Sequence, residues 1–230
     1  MRRSACLGLG AILMVGMGAA VAAVPDTLQQ RIAACTTCHG EHGEGGDNGY
    51  NPRIAGKPAV YLYRQLLNFR DGRRNYPLME HMVSPLSDDY LREIADYFAA
   101  QTPPHADVVP STISDSQRAR GEALVRQGDP SREIPACQAC HGDRLTGVVP
   151  AVPALIGLTQ DYVSAQLGAW RSHTRGAPDP DCMATIATRL DAADIAAVAG
   201  WLALQPLPEN MSPADEPPGP PPLQCGSMAP

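Results

Sequence analysis

The chain has 230 residues, which allows one or two domains, and a formal net charge of −6 at pH 7. An acidic chain without a basic stripe argues against nucleic acid and anionic lipid as partners. Hydrophobic residues make up 44% of the chain, which is enough to build a packed core, although aromatic residues are few.

The first segment has the pattern of a secretory signal. Arg2 and Arg3 form a positively charged start, residues 7–19 are apolar, and small residues follow at 20–23. We therefore predict a signal peptide over 1–23 and export to the periplasm. Retention as an uncleaved membrane anchor is the alternative, because the apolar run is near the lower length limit for spanning a bilayer.

The rest of the chain contains two copies of one unit. The sequence CTTCHG at 35–40 recurs as CQACHG at 137–142, and PRIAG at 52–56 recurs as PALIG at 153–157. Further matches continue in the same order to the end of each copy. This predicts a tandem duplication of one domain, since a solenoid would need shorter periods and more copies.

The apolar pattern of each copy predicts helices. In the first copy they cover 27–38, 58–70 and 87–101, and Ser87 is a suitable N-cap for the last one. The second copy repeats this pattern and its last helix runs to about Gln205. No convincing alternating strand pattern appears, so we predict an all-α fold.

Proline-rich segments separate the parts of the chain. A linker is predicted over 102–114, and from Pro206 onward the proline-rich, acidic composition predicts an extended tail rather than a packed element. We place the first domain at 24–105, the second at 106–208 and the tail at 209–230.

Each copy carries one C-x-x-C-H sequence, the attachment signature of c-type haem. The residues are Cys35, Cys38 and His39 in the first copy and Cys137, Cys140 and His141 in the second. Positions i and i+3 of a helical turn face the same way, so both thiols can reach the vinyl groups of one porphyrin. The following histidine presents its imidazole to the iron. We therefore predict two covalently bound haem c groups.

Three other uses of these cysteines fit less well. A zinc ribbon would need both C-x-x-C pairs in one small unit, whereas here they lie in separate copies. A thioredoxin-like dithiol would need a surrounding βαβ pattern, and structural disulfides would leave the histidines unexplained.

Each iron needs a second axial ligand, and methionine raises the reduction potential relative to a second histidine. One loop of the first copy offers Met79, His81 and Met82, and the matching loop of the second offers Met183. Met79 and Met183 each stand seven residues before an equivalent leucine, whereas the counterparts of His81 and Met82 are a threonine and an isoleucine. We therefore predict Met79 and Met183 as axial ligands, with Met82 as the alternative in the first copy.

An iron with both axial positions filled by the protein has no vacancy for a substrate, which favours electron transfer over catalysis. The chain is thus predicted to be an electron carrier and not an enzyme. A two-haem peroxidase or similar oxidoreductase is the alternative, and it would need one iron with an open site. A cytochrome subunit of a larger dehydrogenase, with the tail as its docking element, is a third interpretation.

Over about residues 27–205 the chain resembles the two-haem cytochromes c of the c-four type. The resemblance rests on the two haem motifs, PRIAG and PALIG, YLYRQLLNFRDG, and LMEHMVSPLSDDYLREIADYFAAQ. It implies two tandem class I cytochrome c domains related by a pseudo-twofold axis. It also implies that the carbonyls of Pro52 and Pro153 accept hydrogen bonds from the haem-ligating histidines.

The same resemblance implies partners in a respiratory chain. Electrons would come from a quinol-oxidising complex or a dehydrogenase and pass to a terminal oxidase, with transient docking on membrane complexes.

Cys182 and Cys225 belong to neither haem motif, and an oxidising compartment favours a disulfide between them. Such a bridge would strap the tail across the loop of Met183, while two unrelated free thiols are the alternative.

Overall fold

The structure is a computed structural model that describes residues 26–46, 51–105 and 112–228. The predicted signal peptide at 1–23 and part of the predicted linker lie outside the described residues. Within these ranges the chain forms nine α-helices, two 3₁₀ turns and isolated β-bridges, and no extended strand. The predicted all-α fold is confirmed. None of the helices in the described ranges combines the length and the apolar character needed to cross a bilayer.

The first half contains four helices. They are α1 (Leu28–His39), α2 (Ala59–Arg70), α3 (Pro77–Val83) and α4 (Asp88–Ala99). The Thr27 side chain caps α1 by accepting a hydrogen bond from the backbone N–H of Gln30, and Ser87 caps α4 in the same way, as its sequence predicts. The bounds of α1, α2 and α4 lie close to the predicted ones.

The second half contains five helices. They are α5 (Asp115–Arg126), α6 (Gln138–His141), α7 (Gln160–Arg171), α8 (Cys182–Arg189) and α9 (Ala192–Ala203). Capping boxes begin α5, at Ser114 and Gln117, and α9, at Asp191 and Asp194. In the first half α1 runs into the C-x-x-C-H sequence, whereas a loop with a 3₁₀ turn at Pro130–Arg132 separates α5 from α6. The two copies therefore reach their haem motifs by different routes.

The two methionine segments predicted as loops are short helices, so that prediction is wrong. Met79 lies in α3, which begins with a proline, and Met183 lies in α8. The side chain of Asp181 caps α8 by accepting a hydrogen bond from the Ala184 N–H at 2.9 Å. Helices of seven and eight residues are too short to show a helical period in the sequence.

In each half the first helix packs against the last, α1 against α4 and α5 against α9. The backbones of α5 and α9 approach closely because Gly121 has no side chain. A Cβ atom at Gly121 would lie 2.3 Å from the carbonyl oxygen of Ala197. Buried apolar side chains form separate clusters in the two halves, around Phe98 in the first and around Leu124 and Leu202 in the second.

A short joint of backbone hydrogen bonds connects the two halves. The N–H of Asn75 donates to the carbonyl of Thr174 at 2.7 Å, and the N–H of Gly176 donates to the carbonyl of Arg73 at 2.5 Å. This is an antiparallel bridge between Arg74 and Arg175. It places the ends of α2 and α7, which are equivalent helices of the repeat, next to each other.

The tail is irregular, as its composition predicts, and none of its described residues is buried, but it contacts the second half at several points. Met211 packs against the core of the second half, and the Ala214 N–H donates to the carbonyl of Gly147 at 2.9 Å. The tail then reaches a 3₁₀ turn at Gly226–Met228. A disulfide joins Cys225 to Cys182, with 5.0 Å between their Cα atoms. Long-range packing of this kind leaves no periodic signal in a proline-rich sequence.

Candidate haem sites

The first candidate site is a cavity of about 650 Å³ between α1, α2, α3 and α4. Cys35, Cys38 and His39 reach it from the last turns of α1, which ends at Gly40 with a φ of +84°. A φ in this region favours glycine and turns the chain out of the helix immediately after the histidine. Met79 and Met82 line the same cavity, and His81 is exposed and is not part of the lining.

The second candidate site is a cavity lined by the equivalent set of side chains. Cys140 and His141 reach it from α6, Cys137 from the N-cap position of that helix, and Met183 from α8. Its volume is about 160 Å³, so this half closes more tightly around the site than the first half does. Each thiol pair therefore belongs to its own cavity, as haem attachment requires and a shared zinc site would not allow.

Both motif histidines are held in one orientation. The carbonyl oxygen of Pro52 accepts a hydrogen bond from His39 Nδ1 at 2.9 Å, and that of Pro153 accepts one from His141 Nδ1 at 2.8 Å. The hydrogen bonds that the family resemblance implies are confirmed. Because a carbonyl can only accept, Nδ1 carries the proton and Nε2 is left as the metal-binding nitrogen. Burial lowers the pKa of both histidines, which keeps the imidazoles neutral.

The electrostatics of the thiols argue against a dithiol oxidoreductase. Burial raises the pKa of the Cys137 thiol to about 12, and burial also raises the pKa of Cys35 and Cys140. A redox-active C-x-x-C pair needs the opposite, a lowered pKa that makes a thiolate available at neutral pH.

The two cavities meet at a polar cluster on the joint between the halves, in which Lys57 and Arg175 are buried and the other members are half-buried. Its members are Lys57, Tyr61, Gln65 and Arg74 from the first half, and Tyr162, Gln166 and Arg175 from the second. Arg74 donates to Gln65 Oε1 at 3.0 Å and to Gln166 Oε1 at 2.7 Å. Arg175 makes the reciprocal pair of contacts, with 3.1 Å to Gln65 Oε1. This exchange of equivalent partners is what a pseudo-twofold relation between the halves produces.

The charge of this cluster fits a haem group. Lys57 and Arg175 line both cavities, and burial lowers the pKa of each. Among the described residues, neither they nor Arg74 form an ion pair with a carboxylate, and the buried Nε of Arg175 has no hydrogen-bond partner. Buried cations without counter-charges are costly. The propionate carboxylates of haem would supply the counter-charge for these groups and an acceptor for Arg175 Nε.

Sequence reasoning missed this cluster. The sequence patterns discussed above single out neither Arg74 nor Arg175. The signal was present in the repeat, since Arg74 and Arg175 follow equivalent helices in the two copies. Two arginines at matching positions in two duplicated domains are candidates for a shared contact across the pseudo-twofold axis.

Comparison with known proteins supports the same assignment. The family model described as cytochrome c matches residues 118–204. A cytochrome c4 of Pseudomonas aeruginosa is 34% identical over 176 residues, which is 76% of this chain and 85% of that protein. The chain belongs to the cytochrome c4 family. The structure of reduced cytochrome c4 from Pseudomonas stutzeri matches this chain with a TM-score of 0.64 and 29% identity. The match covers 76% of this chain and 95% of that one.

Two further relatives of this cytochrome have names that point to a dehydrogenase. A protein of Thiomonas intermedia named "Thiosulfate dehydrogenase electron acceptor" is 37% identical over 204 residues, covering 89% of this chain and 91% of that protein. A structure of thiosulfate dehydrogenase from Marichromatium purpuratum matches 75% of this chain with a TM-score of 0.67 and 34% identity. This chain spans only 36% of that longer chain.

As a member of the cytochrome c family, the chain is an electron carrier with covalently bound haem c. The group, when bound, supplies one-electron chemistry between Fe(II) and Fe(III). The two thiols and the oriented histidine of each cavity would hold this group, and the apolar side chains around them would exclude water from it.

Proposed function

We propose that this cytochrome carries two haem c groups and transfers electrons between them across the joint of the two halves. The observation that carries the proposal is the pair of cavities, each with two thiols, one oriented histidine and one methionine, which meet at a common wall. The axial pairs are His39 with Met79 and His141 with Met183.

The domains are proposed to extend over 24–105 and 106–208, each with one haem, with the tail at 209–230. Residues 1–23 act as an export signal in this proposal, and the mature protein works in the periplasm. The C-x-x-C-H attachment sequences and the Cys182–Cys225 disulfide support this, because an oxidising compartment keeps such a bridge intact.

The proposed electron donor is a dehydrogenase, and thiosulfate dehydrogenase is the first one to test. Support comes from the names of the relatives in Thiomonas intermedia and Stutzerimonas stutzeri, which are 37% and 36% identical to this chain. The proposed acceptor is a terminal oxidase. A quinol-oxidising complex is the alternative donor, as the resemblance to the wider family implies.

The haem assignment is tested by an optical redox titration of the matured protein. The α band and the near-infrared band of methionine-ligated ferric haem are followed together. Two low-spin haems, each losing a methionine band on reduction, are expected. A high-spin component, or a methionine band from one haem only, would contradict the proposed ligands and favour a peroxidase-like enzyme with one accessible iron.

The donor assignment is tested by rapid mixing of the oxidised cytochrome with a purified thiosulfate dehydrogenase and thiosulfate. The α band is expected to appear only when both are present. Reduction by a quinol-oxidising complex with quinol, and not by the dehydrogenase, would contradict the donor assignment. Steady turnover of thiosulfate with ferricyanide by this chain in the absence of the dehydrogenase would show that it is an enzyme and not a carrier.

A further inference from the structure

The end of the tail forms one wall of the second cavity. Leu223, Cys225, Ser227 and Met228 line it together with His141 and Met183. Among the described residues, none of the tail lines the first cavity. The two halves therefore differ in how their cavities are closed, although the residues proposed to hold haem are equivalent.

Three contacts hold this end of the tail in place. The disulfide joins Cys225 to Cys182, the first residue of α8 and the neighbour of Met183. The N–H of Gly226 donates to the carbonyl oxygen of Pro180 at 2.9 Å. Arg64 of α2, in the other half of the protein, donates to the carbonyl oxygen of Ser227.

The fit at Gly226 is tight. A Cβ atom at this position would lie 2.3 Å from the carbonyl oxygen of Asp179. By contrast, most of the preceding segment, residues 215–222, is exposed. The last turn is thus seated closely on the second half, while the chain that leads to it is weakly held. The disulfide is the strongest of the contacts that keep this turn on the cavity.

We propose that residues 223–228 form a cover over the second cavity that is locked by the disulfide and released by a dithiol reductant. This rests on the proposed function, because the cavity is assigned to the second haem. In the release step the S–S bond of Cys182 and Cys225 breaks and two S–H bonds form. A dithiol supplies the two electrons and two protons and becomes a disulfide itself.

The locked cover keeps water and small ligands away from the side of the cavity where Met183 lies. Once released, the last turn retains only its hydrogen bonds and apolar contacts. Removal of the bridge is expected to raise the fraction of molecules in which the last turn has left the cavity, because Cys225 is then no longer tied to Cys182. Access of small molecules to the second cavity is therefore under the control of thiol redox state, while the first cavity is not.

The test uses the matured full-length protein in its ferrous form and carbon monoxide as the probe. Ascorbate reduces the haems and leaves the disulfide intact, whereas dithiothreitol reduces both, and mass spectrometry of alkylated thiols confirms each state. With dithiothreitol, carbon monoxide is expected to bind one haem at least about tenfold faster than with ascorbate. The binding rate rises because it follows the fraction of molecules in which the cover is locally open. The rate for the other haem is expected to stay the same.

Three variants separate the cover from other effects. The double variant C182S/C225S is expected to bind carbon monoxide rapidly with ascorbate and to gain nothing from dithiothreitol. Met228→Ala keeps the disulfide and is expected to give a smaller increase, because it thins the cover without releasing it. Gln224→Ala changes an exposed tail residue that does not line the cavity, and it is expected to behave as the wild type.

Equal carbon monoxide rates in the disulfide and dithiol states of the wild type would overturn the cover. An equal increase at both haems would also overturn it, since the tail lines one cavity. These outcomes are distinct from failure of the proposed function. The function fails if the oxidised protein lacks methionine ligation, whereas the cover fails if ligation is as proposed and thiol state has no effect.

Discussion

Replacing Asp194 by alanine is expected to destabilise the second half of the protein by about 3 kcal/mol, the lower end of the range for breaking a buried ion pair. Asp194 is 3% exposed on α9. It accepts hydrogen bonds from Arg120 Nε of α5 at 2.8 Å and from Arg132 Nη2 at 2.6 Å. Its backbone N–H donates to Asp191 Oδ1 at 2.8 Å in the capping box of α9.

The magnitude follows from what the substitution leaves behind. Removal of the carboxylate leaves two guanidinium groups without this counter-charge and removes half of the capping box. The loss is kept near the lower end because Arg120 and Arg132 are 38% and 34% exposed and both retain an ion pair with Asp129. Asp194→Asn keeps the shape of the side chain and is expected to lose less.

Guanidinium unfolding followed by tryptophan fluorescence measures this effect in the second half selectively. The two tryptophans of the chain, Trp170 and Trp201, both lie there, and a nearby haem quenches their emission until the fold opens. Glu122→Ala is the control, because the ion pair of Glu122 with Arg126 lies on α5 of the same half but is exposed. This control is expected to change stability by less than about 1 kcal/mol.

The effect of Asp194 also depends on pH. Burial raises the pKa of its carboxyl, but the hydrogen bonds from Arg120 and Arg132 outweigh this and hold the pKa below its ordinary value. The stabilisation is therefore complete above the unfolded pKa of about 3.9 and is lost as the pH falls through the lowered folded pKa. The difference between wild type and variant should shrink in acid. A loss at pH 7 no larger than that of Glu122→Ala would refute the reasoning.

Three further predictions concern packing, ligation and charge. Gly121→Ala should destabilise the second half by about 1–3 kcal/mol, because the added methyl group overpacks α5 against α9. Gly168→Ala is the control, since it lies at a helical site with no neighbouring atom within 4 Å, and it should not destabilise the protein. Unfolding followed by tryptophan fluorescence measures both variants. Met79→Leu should abolish the near-infrared methionine band of one haem and Met82→Leu should retain both bands; the opposite result would reassign the ligand. Lys57→Met should lower the midpoint potentials of the haems in a redox titration, because a buried cation beside both cavities favours the reduced iron. Unchanged potentials would contradict the placement of the Lys57 charge beside the haems.

Short sequence patterns determined the chemistry of this protein and most of its helices. The C-x-x-C-H spacing defines a haem attachment site within one turn of helix, so no tertiary information is needed to recognise it. The helix start at Ser87 was predictable for the same reason, since capping depends on a side chain and a backbone group three residues apart. The repeat predicted that Met79 and Met183 are equivalent, and the structure places them in equivalent short helices.

Contacts between residues far apart in the chain were decided by the tertiary structure. Arg175 meets Gln65 across 110 positions, and Arg64 meets Ser227 across 163. Such contacts depend on how two domains are turned toward each other, and neither helical period nor capping carries that information. For the tail, the sequence predicts the Cys182–Cys225 disulfide, whereas the lining of the second cavity by its last residues and the tight fit of Gly226 appear only in the structure. The haem motifs and the helix caps could be predicted from the sequence because their residues lie within one turn of helix. The joint between the halves and the cover over the second cavity depend on contacts between distant segments, which only the tertiary structure brings together.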